Sequence, residues 1–527
     1  MSVKPRINTM HSHDASRRLF LRHAGAMGAL LGPVAAPLAL NLAALGSASA
    51  QAAPDYKALV CLFLFGGNDA FNMVLPTDTS SWANYTAVRN QAPDSIALLA
   101  PGTVANAGAA AGSPQRLGGV LPILPANAQG RSFALHPVMG SLQTMFDTDR
   151  RLAIVPNIGP LIRPTTKDQY RLASHPRPAS LFSHNDQQNT WQALAPEGAT
   201  RGWGGRMGDL LASGNGKPVF TSISAAGNAV WLAGDSIQQY QVSTNGAIRM
   251  GTDSNNRVFG SADVGAAMQR IVSATRGTHV FERDLAALGK RSMDAEFALR
   301  NALKPAGDAL FGTPVVAPAT YSANNDPKLQ YDNPLTGAKS FNSLAQQLQI
   351  VARMIHASND AGVLAKRQVF FVSMGGFDTH DLQNRNHADL MAKLAHALRY
   401  FDTTLGAMGA RNAVTTFTAS DFGRTFTSNG DGTDHGWGSH HFVMGGAVKG
   451  GDLYGNFPVL GAKNANNNNF DGSPNQIGNG AMLPETSVDQ LGATLGRWFG
   501  LSDGQLLDLF PNLVNFNPSQ RNLGFMA

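Results

Sequence analysis

Lys57 to Phe65 (KALVCLFLF) is an almost unbroken apolar run that ends in Gly66-Gly67-Asn68-Asp69. This pattern predicts a strand buried on both faces that opens into a glycine turn, as in a parallel sheet. Leu152 to Pro156, Lys366 to Ser373 and Ala413 to Ser420 repeat it, each followed within a few residues by Gly, Asn or Asp. Between the last two, Leu390, Leu394, Leu398, Phe401 and Leu405 recur at helical spacing, so Asp389 to Gly406 is expected to be the helix of a strand-helix-strand crossover. Phe341 to Ile355 reads as another amphipathic helix. In open sheets of this kind ligands collect at the carboxyl ends of the strands, and those ends carry Asp69, Asp378 with His380, and Asp421.

Two stretches fall outside the expected sheet. Ala92 to Gly130 is rich in Ala, Gly and Pro, and Gly205 to Ser340 mixes short strand-like runs with one helix near Val280 to Leu303. Both are read as insertions or a cap, at about 92–130 and 205–340, on a single α/β domain spanning 53–527. Asn464 to Asn469 is a polar loop too short to be a linker.

Composition narrows the class. With 43% hydrophobic and 14% charged residues, 56 Gly and 28 Pro, the chain is globular and loop-rich. Its single cysteine, Cys61, excludes an intrachain disulfide and any CxxC metal or redox site, so a metal must rest on His and carboxylates. The net charge of +6 invites a nucleic-acid or membrane-surface reading. Residues 1–50, however, hold five basic side chains against Asp14, which leaves the remainder nearly neutral and no case for a nucleic-acid partner. In that leader, Ser16-Arg17-Arg18-Leu19-Phe20-Leu21, an Ala/Gly/Leu stretch and Ala48-Ser49-Ala50 read as a twin-arginine signal over residues 1–52. The expected partner is the twin-arginine export machinery, and the expected location is periplasmic or extracellular. Prolines and Gly32 interrupt the apolar stretch, and nothing later reads as a membrane span, so no stable anchor is expected after cleavage.

Three clusters carry chemistry. Asp378-Thr379-His380 follows Gly375-Gly376, and a carboxylate two residues from an imidazole on a tight turn suits one metal, although Asp378 also suits a helix cap. Thr418 to His441 packs three His, three Asp and Arg424 into 24 residues, with glycines that admit close backbone approach. Arg424 offers a fork for an oxyanion; the bland alternative is a hydrogen-bonded loop with His440 or His441 turned inward. In Phe182-Ser183-His184-Asn185-Asp186-Gln187, Ser183 is placed either to cap a helix or to act as a nucleophile at its positive end. Gly66 to Asn72 matches no nucleotide-binding loop.

The leader, LFLFGGNDAFNMVLP, SLFSHNDQQ, VFFVSMGGFDTHDLQ, TASDFGRTFTSNGDGTDHGWGSHHFVMGGAVKGG and SVDQLGATLGRWFG together resemble the secreted bacterial family called domain of unknown function 1501, over roughly residues 56 to 500. That family is considered a distant relative of the alkaline phosphatase and sulfatase superfamily. The resemblance implies an α/β fold with an alkaline-phosphatase-like, mostly parallel central sheet flanked by helices, one or two divalent metals (zinc, manganese, magnesium or calcium) and an alcohol nucleophile. By position, Asp69 resembles the first metal-binding Asp and Ser183 the nucleophile. Asp378 with His380 resembles one metal pair, Asp421 the second site, and His435 with His440 or His441 the late metal-binding His. Phe422 stands where the second site often has His, and Ser183 lacks a Cys-x-Pro-x-Arg context. The expectation is a secreted hydrolase of phosphate or sulfate esters, small or polymeric, with Ser183 attacking and Arg424 gripping the anion. The alternatives are a non-catalytic binding or assembly protein on the same fold, or a metal-independent carboxylesterase.

Overall fold

Alternate residues of the first strand feed two separate cores: Ala58, Val60, Leu62 and Leu64 on one side, Leu59, Cys61 and Phe63 on the other. This is why the run contains no polar position after Lys57. The computed structural model describes residues 55–249, 257–274, 279–464 and 470–527. The expected leader and nearly all of the Asn464–Asn469 loop lie outside the described residues.

The main sheet has nine strands: β1 (Lys57–Leu64), β2 (Leu152–Gly159), β3 (Ser222–Ser224), β4 (Tyr240–Ser243), β5 (Gly246–Ala247), β6 (Arg367–Met374), β7 (Val414–Ser420), β8 (Ser439–Gly445) and β9 (Thr486–Ser487). They lie in the order β9-β2-β8-β7-β1-β6-β3-β4-β5, with β8 and β5 antiparallel to their neighbours and the other pairings parallel. The helices of eight or more residues are α1 (Thr79–Arg89), α2 (Gly140–Asp147), α3 (His184–Ala193), α4 (Trp203–Leu211), α5 (Ala262–Ser273), α6 (Val280–Ala302), α7 (Ser343–His356), α8 (Gln383–Ala407) and α9 (Val488–Phe499). Side chains of α2, α7 and α8 fill the first core, and those of α4 and α9 the second, giving a helix-sheet-helix sandwich. Among the described residues no helix is long and apolar enough to cross a membrane.

The four expected strands form as β1, β2, β6 and β7. Helix α8 begins six residues before the expected Asp389, because its first turns bury polar side chains, Gln383 and His387, that an apolar period does not reveal. The 205–340 stretch is corrected more deeply. It supplies β3, β4 and β5 to the main sheet, and Trp231 is fully buried in the second core, so only part of it lies outside. Residues 92–130 do stay off the main sheet; Leu121–Ile123 pairs in a small three-stranded sheet with Val74–Pro76 and Phe133–Leu135.

His136, His387, His440 and His441 are each no more than 1% exposed. Burial drives all four below the usual imidazole value, His387 to about 4 and His440 and His441 to about 3. The unfolded chain therefore binds more protons than the native one between these values and 6.5, and stability falls as pH falls through that window. Burial pushes the Asp489 carboxyl up to about 7 and raises Glu485, and the Asp421 hydrogen bond raises His184; these three act in the opposite direction, but His356, His396 and His435 are lowered as well and join the four. Each buried neutral imidazole contributes a slope of roughly 1 kcal/mol per pH unit. Urea unfolding at neutral pH and near pH 5 is expected to show a large fall in midpoint on acidification; a flat profile contradicts this account.

Candidate metal centre at the carboxyl edge of the sheet

Strand β1 lies between β6 and β7 with Leu64 opposite both Met374 and Ser420, so three loops leave the sheet at one level. Gly66 opens the first with φ +117°, and a Cβ there would collide with the backbone of Asp378. The Ser420 hydroxyl donates to Leu64 O at 2.8 Å and accepts from Asn68 N at 3.0 Å, tying the first loop to the third. The second loop is anchored by the fully buried Phe377, whose N–H donates to Phe65 O.

Asp378 is the hub. His380 Nε2 and His435 Nε2 lie 3.0 and 3.3 Å from its Oδ1, and His184 Nε2 lies 3.4 Å from its Oδ2. Two of the imidazoles are held from behind by hydrogen bonds at Nδ1, His184 by Asp421 Oδ2 at 2.6 Å and His435 by Phe182 O at 2.8 Å, while His380 Nδ1 lies 3.3 Å from Asp434 Oδ1. An acceptor on Nδ1 leaves Nε2 free to act as a ligand, the arrangement that supports metal-binding histidines elsewhere. His380 Nε2 and His435 Nε2 stand 3.1 Å apart. One ligand atom each from His184, Asp378 and His435 lies within 4.8 Å of the others, close enough for the three to hold one ion. The face is open: Asp378 and His380 are about two-fifths exposed.

The electrostatics follow from these contacts. The Asp421 hydrogen bond raises the His184 pKa above the usual imidazole value against the pull of burial, helped by the charges of Asp421 and Asp378. Burial lowers that of His435, aided by the Arg424 and His184 charges, against its bond to Phe182. Burial alone would raise the Asp378 carboxyl, but the Arg424 hydrogen bond and nearby cationic groups outweigh it and leave it below the usual range.

Helix α3 brings His184 and Gln188, four residues apart and so on one face, to Asp421 Oδ2; Gln188 Nε2 donates at 2.8 Å and Gly66 N at 3.2 Å. Asp421 Oδ1 is buried without a hydrogen-bond partner. Ser183 occupies the N-cap position of α3 but makes no side-chain capping bond. It stands between His184 and Phe182, whose φ of +73° belongs to the strained left-handed region. His184 and Gln188 are absent from the residues singled out by sequence reasoning; His184 is the immediate neighbour of Ser183 in the same motif, and an imidazole in that motif was the available signal.

Three sequence expectations need correction. Asp69 does not face this cluster: Arg89 grips both its oxygens, at 2.6 and 2.9 Å, and Gln383 Nε2 donates at 2.5 Å, with Asp69 and Arg89 fully buried. The Arg89 guanidinium is boxed by the rings of Phe71, Tyr85 and Phe426, so the pair is closed to an ion. Arg424 is likewise fully buried and is no free fork for an anion. Its hydrogen bonds go to Asp378 Oδ1 at 2.6 Å, Gly66 O and Thr433, and its work is to hold Asp378. His440 lies on β8 in the core, its Nδ1 accepting from Asn157 N at 3.0 Å and its ring against Phe457. His441 is buried too, with Nδ1 at Thr418 Oγ1, so neither His440 nor His441 is the ligand expected beside His435.

The family described as Protein of unknown function (DUF1501) matches residues 56–509, and the chain belongs to that family. No curated protein matches it. Among solved structures it is similar to the one titled "Crystal structure of Ps i-CgsB in complex with k-i-k-neocarrahexaose", at 7% identity and a TM-score of 0.32, over 89% of this chain and 77% of that one. That likeness is too distant to bear on fold or function.

The Asp69–Arg89 pair yields a direct test of its structural role. Arg89→Ala leaves an uncompensated buried carboxylate and is expected to cost about 3–5 kcal/mol. Replacing both partners with apolar residues, Asp69→Leu with Arg89→Met, is expected to cost much less, and urea unfolding of the two variants checks the difference.

Proposed function

We propose that this member of the DUF1501 family is an exported, metal-dependent hydrolase of phosphate or sulfate esters, acting in the periplasm or outside the cell. The observation that carries the proposal is the convergence of three imidazole Nε2 atoms on one carboxylate, with the Nδ1 atoms of His184 and His435 each held by an acceptor behind it. Asp378, His184 and His435 would hold the ion, with His380 beside them. The donor set fits: nitrogen-rich with one carboxylate, it suits zinc or another borderline ion better than magnesium or calcium, which want oxygen ligands. The orphaned Asp421 Oδ1 also calls for a positive neighbour in this wall. With Asp69 closed by Arg89 and Phe422 in place of a histidine, one ion is the expected count. Such an ion, when bound, would lower the pKa of a water or hydroxyl on it and polarise an ester oxygen.

The chain's own residues do the rest. Asp421 and the Phe182 carbonyl fix the tautomers of His184 and His435, and Arg424 fixes Asp378. Ser183 supplies the hydroxyl at the positive end of α3, where backbone N–H groups favour an anion. A second reading, a binding or assembly protein without turnover, draws support from the burial of Arg424, which leaves the site without the guanidinium expected to grip an anion. A metal-independent carboxylesterase needs Ser183 hydrogen-bonded to an imidazole, and His184 turns both ring nitrogens to carboxylates instead.

Elemental analysis of the mature protein, purified without added metal, tests the proposal. About one equivalent of a divalent ion is expected. It is lost in Asp378→Ala and His435→Ala together with ester hydrolysis, while Asp421→Asn weakens ion affinity roughly 10- to 100-fold. Because a proton on His184 competes with the ion, affinity falls as pH drops through that residue's raised pKa. Bound ion with no release of phosphate or sulfate from any ester favours the binding protein; no bound ion, even after reconstitution, overturns both metal and mechanism.

A further inference from the structure

The long helix α6 carries one apolar stripe along its length, and the protein covers only half of it. Phe281, Leu285, Leu288, Ser292, Ala295, Leu299 and Ala302 alternate steps of four and three residues, the spacing of a two-helix seam. At the carboxyl end Ala295 and Leu299 are buried in the first core and Ala302 packs against it. At the amino end the same stripe is bare: Phe281 is 79% exposed, Leu285 68% and Leu288 51%. Helix α5 does not cover it, since α5 packs on another face through Val272 against Gly289, and itself exposes Val264 and Ile271. Of the nineteen large hydrophobics exposed among the described residues, nine lie between Ile248 and Phe297, a concentration that marks an interaction surface rather than scattered surface residues.

We propose that this face binds a second copy of the chain, α6 crossing α6 in antiparallel fashion to form a two-fold dimer. The charges select that occupant. Asp284 and Arg291, seven residues apart, both border the seam on the same side, both are exposed, and neither has an ion-pair partner among the described residues. An antiparallel copy centred between Ala286 and Ala287 sets Leu285 against Leu288 of the other chain and Phe281 against Ser292. It also sets each Asp284 against the other chain's Arg291, so the surface is complementary to itself, as a two-fold contact requires. A parallel copy would oppose Asp284 to Gly289, with no compensation, and would bring both buried carboxyl halves to the same end.

Sedimentation velocity of the mature, exported protein over a range of micromolar concentrations tests this. A reversible dimer is expected, and Leu285→Glu with Leu288→Glu should yield a monomer whose thermal midpoint and circular dichroism match the parent. Asp284→Arg should weaken the dimer by about tenfold through like-charge contact, and adding Arg291→Asp should restore it. A chain that stays monomeric throughout, or a dimer indifferent to Asp284→Arg, overturns the proposal; the first outcome would hand the face to a different protein. None of these readings depends on metal or turnover.

Discussion

Everything at the candidate centre rests on the register of three parallel strands. Because β1 is hydrogen-bonded on both sides with Leu64 level with Met374 and Ser420, the loops that follow cannot spread apart. They carry three aspartates out of an apolar sheet at one place. Bringing like charges together under low solvent exposure is costly, so each needs a partner supplied from elsewhere in the chain. The surrounding elements supply them: α1 brings Arg89, α3 brings His184, and the third loop itself folds Arg424 back under Asp378.

The three solutions differ in kind, and the difference decides where chemistry can occur. Asp69 and Arg89 form a dry, fully hydrogen-bonded pair whose breaking leaves a stranded charge. Arg424 is as buried, but its partner Asp378 keeps about two-fifths of its side chain in solvent and turns that side to the imidazoles. Asp421 is paired with a group that can lose its proton, His184, and retains one oxygen without a partner. Two aspartates are therefore neutralised by permanent cations, and only the imidazole side offers positions that a proton or an ion can exchange. Phe422 walls that side, its ring 4.8 and 4.7 Å from those of His184 and His435, which covers one side of each imidazole.

The strands were legible because burial on both faces leaves a signal in consecutive residues. So were the polar turns: Asp378, His380, Asp421 and His435 do converge. What was not legible depends on contacts across the chain. An arginine in a glycine-rich loop reads as an anion grip until Thr433 and Asp378 are seen to consume its donors. Either His440 or His441 reads as a ligand by composition, but a strand turns both into the core, where Asn157 N and Thr418 Oγ1 engage their Nδ1 atoms and His441 Nε2 is left without a partner. Asp69 looked like its neighbours because Arg89, twenty residues away, carries no motif. β3 was missed because three residues, Ser222-Ile223-Ser224, are too few to show a period.

Helix α6 shows the same limit from the other direction. Its extent was readable, since an apolar repeat of 3.5 residues runs from Phe281 to Ala302 and marks a helix whatever covers it. What covers it is a tertiary fact: the sheet and its helices reach Leu299 and stop short of Leu288. A stripe that served only the core would end where the core ends, because an exposed Phe or Leu on a helix gains nothing from solvent and invites association. Its continuation for two further turns, with opposite charges spaced by one heptad beside it, is therefore information about a neighbour and not about the fold.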